Sequence, residues 1–235
     1  MKHTFHPTVI AFDADDTLWM NEIYFQETER TFCHWMAEYA PETSVAEQLF
    51  QTEMRNLSLY GYGAKGFTLS MVETAINVSH GRVSAGRVAD IVKLGQTLLT
   101  RPVELLDGVV EVLPLLHPHY QLVLATKGDL LDQQRKLDRS GLRHWFHHIE
   151  IMSRKEETDY RQLMSRLGVS PDEFLMVGNS LKSDVLPVMS AGGHAVWIPY
   201  HTTWQHEEVA ASHPRGYTEL HSLHQLPVML GMAVQ

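Results

Sequence analysis

The stretch Val9-Ile10-Ala11-Phe12-Asp13-Ala14-Asp15-Asp16-Thr17-Leu18 constrains this chain more than any other. An apolar, strand-like run stops at three carboxylates within four residues. Burying such a cluster costs several kcal/mol per charge unless a positive group neutralises it. In open α/β sheets, ligands sit outside the carboxyl ends of the strands, so the acids are expected at one such end. The arrangement asks for a hard cation and leaves one carboxylate over for chemistry.

After Leu18 the texture turns helical. Ile23, Phe25, Thr28, Phe32, Trp35, Met36 and Tyr39 approximate one apolar stripe, which Pro41 ends. Further helices are expected near 43–57, 66–79 and 84–99, with a glycine-rich turn, Tyr60-Gly61-Tyr62-Gly63-Ala64-Lys65-Gly66, between two of them. From about Arg101 short apolar strands near 121–126, 147–152, 174–177 and 195–198 alternate with helices near 107–117, 129–140, 157–167 and 182–191. That alternation predicts a parallel sheet with right-handed crossovers. The last 35 or so residues are less patterned, with a short helix expected near 220–231. The fold class is therefore α/β, a Rossmann-like parallel-sheet core made from residues 1–19 and 102–235. An all-helical domain, 20–101, is inserted after the first strand. Trp19-Met20 and Thr100-Arg101-Pro102 are the expected hinges.

The formal charge of −9 over 235 residues argues against nonspecific binding to nucleic acid or an anionic membrane. No apolar run approaches the roughly 20 residues of a membrane span. The start of the chain lacks a signal-peptide pattern. The one cysteine, Cys33, lies beside Phe32 in an apparent helix and reads as a small buried side chain in a reducing cytoplasm. Fifteen histidines lack zinc-ligand spacing and read as surface residues. Trp197, Tyr200 and Trp204 read as packing residues after the last strand. Lys65, Tyr60 and Tyr62 read first as a helix–helix turn and second as a loop that could reach a substrate.

Parallel strands bring their carboxyl ends to one edge. The first strand ends in Asp13 and Asp15, another in Thr126, and a later one in Asn179, with Asp184 beyond it; Lys155 follows the strand between. A nucleophile-capable carboxylate, a second carboxylate, a hydroxyl, a cation and further oxygen ligands are the parts phosphoryl transfer needs.

On these residues the chain resembles the haloacid dehalogenase-like hydrolases. The matching motifs are Asp13-x-Asp15-x-Thr17-Leu18, Thr126, Lys155-x-x-x-x-Tyr160 and Gly178-Asn179-Ser180-x-x-x-Asp184, in order over about residues 8–199. The resemblance implies that Asp13 is a nucleophile forming an aspartyl-phosphate and that Asp15 is the general acid and then base. It implies that Thr126 and the backbone amides around Asp15, Asp16 and Lys127 hold phosphate oxygens, and that Lys155 neutralises charge. It implies Mg²⁺ held by Asp13, the Asp15 carbonyl, Asn179 and Asp184. It also implies that the helical insert is a cap. Asn179 stands where the family commonly has an aspartate, which removes one negative charge from the metal site.

The expected function is a Mg²⁺-dependent phosphatase acting on a small phosphorylated metabolite. A phosphomutase of the same family and a non-catalytic binding protein retaining the fold are the alternatives. Carbon–halogen cleavage is disfavoured because it has no need of the carboxylate at position 15.

Overall fold

The computed structural model describes residues 6–209 and 216–232. The chain enters through strand β1 (Val9–Phe12), followed by helices α1 (Glu22–Met36), α2 (Glu42–Tyr60), α3 (Ala64–Val78) and α4 (Ala85–Thr100). It then alternates α5 (Val109–Leu116), β2 (Gln121–Lys127), α6 (Leu130–Ser140), β3 (His148–Met152), α7 (Glu157–Leu167) and β4 (Phe174–Gly178). Helix α8 (Leu186–Ser190), β5 (His194–Trp197), β6 (Thr218–Glu219) and α9 (Gln225–Met229) complete it.

Two compact units result. One comprises the described residues of 1–22, 103–127 and 133–235. Its six strands form a single parallel sheet in the order β3-β2-β1-β4-β5-β6. β1 is buried throughout because it pairs on both sides, Phe12 lying opposite Leu124 of β2 and Val177 of β4. Its side chains alternate between two cores, as a pleated strand requires. Ile10 and Phe12 join Leu122, Leu124, Leu175 and Val177 beneath α5 and α9, whereas Val9 and Ala11 join Val123, Ala125 and Met176 beneath α7 and α8. Strand order runs outward from β1 in both directions, so the topological switch lies beside β1, where such sheets place their ligands. This is a Rossmann-like α/β fold.

The second unit comprises residues 23–102 together with Gly128–Asp132. Its core is built from Phe32, Met36, Leu49, Phe67, Met71 and Ile91. Helices α3 and α4 approach closely at Gly95, where a Cβ would lie 1.9 Å from the Thr68 Oγ1. Cys33 is buried here, and burial, aided by Glu29 and Glu42, pushes its thiol up to about 12. Among the described residues no helix is long and apolar enough to cross a membrane.

Two local expectations need correction. The helix predicted near 182–191 divides into a π-helical turn, Leu181–Val185, and the short α8. Pro187 has no amide to donate, and the wider turn takes up the change of ladder, with Leu186 N–H returning to the Leu181 carbonyl. The tail also adds strand β6 at the sheet edge, two residues too short to give an apolar period.

Candidate functional site

Every candidate residue from the strand ends falls in the α/β unit. Asp13 directly follows β1, its amide donating to Val177 O at 2.9 Å. Thr126 is the penultimate residue of β2, Lys155 stands three residues past β3, and Asn179 follows β4. Asp184 lies in the π-helical turn.

Lys155 is the hub. Its Nζ donates to Asp13 Oδ1 and, at 2.7 Å, to Asp184 Oδ1. The side chains of Lys155 and Asp184 are each 1% exposed, so these charges have exchanged water for one another. Burial pulls the ammonium down, but the two carboxylates outweigh it and hold Lys155 well above the usual lysine range. Burial raises Asp13 to about 7 against the pull of Lys155, with Asp184 adding to the rise. Two carboxyl groups thus share one ammonium.

The backbone is shaped to allow this. A Cβ on Gly178 would lie 2.2 Å from Asp184 Oδ2, so a glycine is required at the end of β4 for that carboxylate to fold back. Ser180 N–H then donates to Asp184 Oδ2 at 2.9 Å. Tyr160 O–H, reaching from α7, donates to the Ser183 carbonyl at 2.9 Å, and Trp197 Nε1–H to the Asn179 carbonyl at 2.8 Å. Thr17 closes the near side. Its hydroxyl accepts from Asn179 N–H at 3.1 Å and faces both Asp13 Oδ2 (3.3 Å) and Asn179 Oδ1 (3.2 Å). A hydroxyl has one hydrogen, so one of these two oxygens is left without it.

Asp15 is held separately. Trp19 Nε1–H at 2.7 Å, Gln133 Nε2–H at 2.8 Å and Lys136 Nζ at 2.9 Å all donate to its carboxylate. Asp16 shapes the turn. It sits at φ 61°, its amide donates to Trp19 O at 2.7 Å, and its carboxylate receives the amides of Asn21 and Glu22, each at 2.9 Å. Burial raises its carboxyl to about 7 despite those hydrogen bonds. Its amide is thus already engaged within the turn. The Thr126 hydroxyl is buried with no partner, an unmet group at the end of β2. The Lys127 side chain donates to Ser183 Oγ at 2.7 Å and to Glu207.

Outside this edge, Lys65 pairs with Asp129 at 2.8 Å within the helical unit. Sequence reasoning passed over Trp19, Gln133 and Lys136 as partners of Asp15, and Ser183 and Glu207 as partners of Lys127. The spacing of Gln133 and Lys136, three apart and so on one helix face, was the one signal for them. Glu207 had none, since it lies 80 residues from Lys127 in an unpatterned segment.

Among the described residues no group of three or more His, Cys, Asp or Glu is placed to hold a metal ion. The oxygens at this edge are instead two carboxylates (Asp13 and Asp184), the Asn179 amide oxygen and backbone carbonyls. All are hard donors, two carboxyl groups share the single ammonium of Lys155, and one oxygen facing Thr17 lacks a hydrogen. That set fits a hard divalent cation that keeps several waters, and lacks the nitrogen and sulfur ligands that zinc favours.

The chain is similar to proteins of known family in sequence and in fold. The chain is 26% identical to a glyceraldehyde 3-phosphate phosphatase of Methanopyrus kandleri over 78% of this chain and 80% of that protein. It is 27% identical to the pyrimidine 5'-nucleotidase YjjG of Escherichia coli, over 92% and 96% of the two chains. The solved structure of a haloacid dehalogenase-like family hydrolase from Xanthomonas campestris superposes with a TM-score of 0.86 at 37% identity, covering 96% of this chain and 91% of that one. The family model of the haloacid dehalogenase-like hydrolases matches residues 7–192, spanning Asp13, Thr126, Lys155 and Asp184 alike. On that match and the shared fold, the chain belongs to the haloacid dehalogenase-like hydrolase family.

Proposed function

We propose that this hydrolase is a Mg²⁺-dependent phosphatase that cleaves a small phosphomonoester through an aspartyl-phosphate on Asp13. The observation that carries the reading is the pairing of two carboxylates two residues apart but differently held. Asp13 is buried against Lys155, and Asp15 is fixed by Trp19, Gln133 and Lys136. A carbon–halogen hydrolase has no leaving alkoxide to protonate, so the second carboxylate favours the phosphoester. Relatives named as a glyceraldehyde 3-phosphate phosphatase and a pyrimidine 5'-nucleotidase support the same class.

In this reading an Asp13 oxygen attacks phosphorus as the bond to the leaving oxygen breaks, and Asp15 delivers a proton to that oxygen. Asp15 then takes a proton from water, which attacks phosphorus and returns Asp13 as a free carboxylate with release of inorganic phosphate. Lys155 offsets the charge gathering on Asp13 and the transferring group, the preorganised kind of stabilisation. The Thr126 hydroxyl and the amides of Asp15, just after β1, and of Lys127, at the end of β2, bind phosphate oxygens; Asp16 contributes the shape of the turn. Asp13, Asp184, the Asn179 amide oxygen and the Asp15 carbonyl would hold Mg²⁺, which would supply further positive charge to the phosphoryl oxygens. The helical insert, 20–101, is assigned the cap role and substrate choice. A lone buried Cys33 and the negative net charge suit a cytoplasmic enzyme of small metabolites.

The test is hydrolysis of para-nitrophenyl phosphate by wild type and Asp13→Asn, each with and without Mg²⁺. Metal-dependent phosphate release that falls by on the order of 10⁴ or more in the variant supports the reading. Release that survives in the variant refutes it, and transfer to a sugar phosphate without release to water assigns the chain to the mutases.

A further inference from the structure

Glu207 occupies a single turn of 3₁₀ helix, Gln205–Glu207, in the segment that follows β5. Its carboxylate receives Lys127 Nζ, Ser180 Oγ–H and, at 2.7 Å, Ser183 Oγ–H. The side chains of Glu207 and Lys127 are 12% and 17% exposed. Burial alone would raise this carboxyl, yet the charge of Lys127 and the hydrogen bonds from Lys127, Ser180 and Ser183 hold it down at about 2.

The direction of every bond in this cluster is fixed by chemistry. A lysine only donates and a carboxylate only accepts. Ser183 therefore takes a hydrogen from Lys127 Nζ at 2.7 Å and passes its own to Glu207. Ser180 takes the Ser183 amide at 3.0 Å on its hydroxyl oxygen and also gives its hydrogen to Glu207. Glu207 is the terminal acceptor for both serines. A second tether runs beside it, Lys182 Nζ donating to the His206 carbonyl at 2.7 Å.

The three donors come from the carboxyl ends of two different strands. Lys127 is the last residue of β2 and adjoins Thr126; Ser180 and Ser183 lie in the turn after β4 that carries Asn179 and Asp184. Within that turn Ser180 N–H orients the Asp184 carboxylate that faces Lys155. Displacing Ser180 would therefore displace the acid that completes the buried trio.

We propose that Glu207 is a positioning residue for the site, locking the Ser180–Asp184 turn to the end of β2 so that Asp184 stays against Lys155. Its effect on turnover rests on the phosphatase reading, whereas its effect on the turn does not. Removing a buried group that orients site residues costs about 10–100-fold in activity.

The test compares full-length wild type, Glu207→Gln and the control Glu208→Gln, whose side chain belongs to an exposed neighbour. Amide hydrogen exchange is followed without metal, and para-nitrophenyl phosphate kinetics with Mg²⁺. In Glu207→Gln the amides of 180–185 should exchange at least about tenfold faster. Its kcat should fall by about 10–100-fold with little change in KM. Glu208→Gln should match wild type in both. Unchanged exchange over 180–185 overturns the proposal. So does faster exchange confined to 199–209 with kcat intact, which would make Glu207 a mere anchor for the later segment. A wild type that hydrolyses no phosphoester would defeat the phosphatase reading, and the exchange result alone would then decide the role of Glu207.

Discussion

The helical stretch 23–102 and the α/β unit bury polar groups differently, and the buried acid of the helical unit, Asp132, lies in its separate Gly128–Asp132 segment. Between residues 23 and 102 the buried polar side chains are Thr28, Thr52, Asn56, Ser70, Thr74 and Ser79, all neutral. Thr28 and Thr52 return their hydroxyls to carbonyls one turn earlier in their own helices, each at 2.8 Å, and Asn56 bridges α2 to Ser70 and Glu73 of α3. The α/β unit buries Asp13, Asp16, Lys155 and Asp184, all at the carboxyl edge of its sheet. Hydroxyls bonded to a nearby carbonyl cost little to bury, whereas ions must be compensated by partners brought from far along the chain. Lys155 and Asp13 are 142 residues apart. Such costly burial is characteristic of sites that tune charge for chemistry.

Lys155→Met should break this contrast most severely. It leaves Asp13 and Asp184 buried without their cation, so stability measured by urea unfolding should fall by about 3–5 kcal/mol. Turnover should drop by on the order of 10²–10³ through loss of charge stabilisation. A variant with wild-type turnover would show that the buried charges are structural ballast. Asn56→Ala should sharpen the contrast from the other side. Losing its bonds to Ser70 and Glu73 should cost about 1–2 kcal/mol of stability, with turnover of para-nitrophenyl phosphate unchanged. Smallest is Arg101→Ala. Arg101 pairs with Glu27 at 2.6 Å and lies 4.9 Å from the Tyr24 ring centre, but both charged partners are more than a third exposed. Thermal unfolding should register less than about 1 kcal/mol, because solvent screens the pair.

Much of the sheet and its chemical edge was legible because each depends on short-range pattern. β1 announces itself as four apolar residues ending at Asp13, and the ends of β2 and β4 are marked by Thr126 and Asn179 after similar runs. Parallel topology then gathers these ends without any further information. What escaped depends on contacts that no local pattern encodes. Gln133 and Lys136 look like the solvated face of an amphipathic helix, yet they reach Asp15, 118 and 121 residues away. Glu207 sits in a segment with no periodicity, and only the folded chain brings it to Lys127 and the two serines. The π-helical turn was hidden because its apolar spacing mimics an ordinary helix until Pro187 withholds its amide. Thr17 is visible in the sequence as part of Asp13-x-Asp15-x-Thr17, but the shared position of its hydroxyl between Asp13 and Asn179 is a fact of three dimensions.

The most direct test of the central claim is rapid acid quenching of wild-type enzyme during turnover of a phosphomonoester with Mg²⁺, followed by mass spectrometry of the peptide containing Asp13. The account expects the mass of one phosphoryl group on Asp13, appearing no later than the first released phosphate and absent from Asp13→Asn. Sustained phosphate release with Asp13 unmodified, or a phosphoryl group carried on another residue, would contradict it.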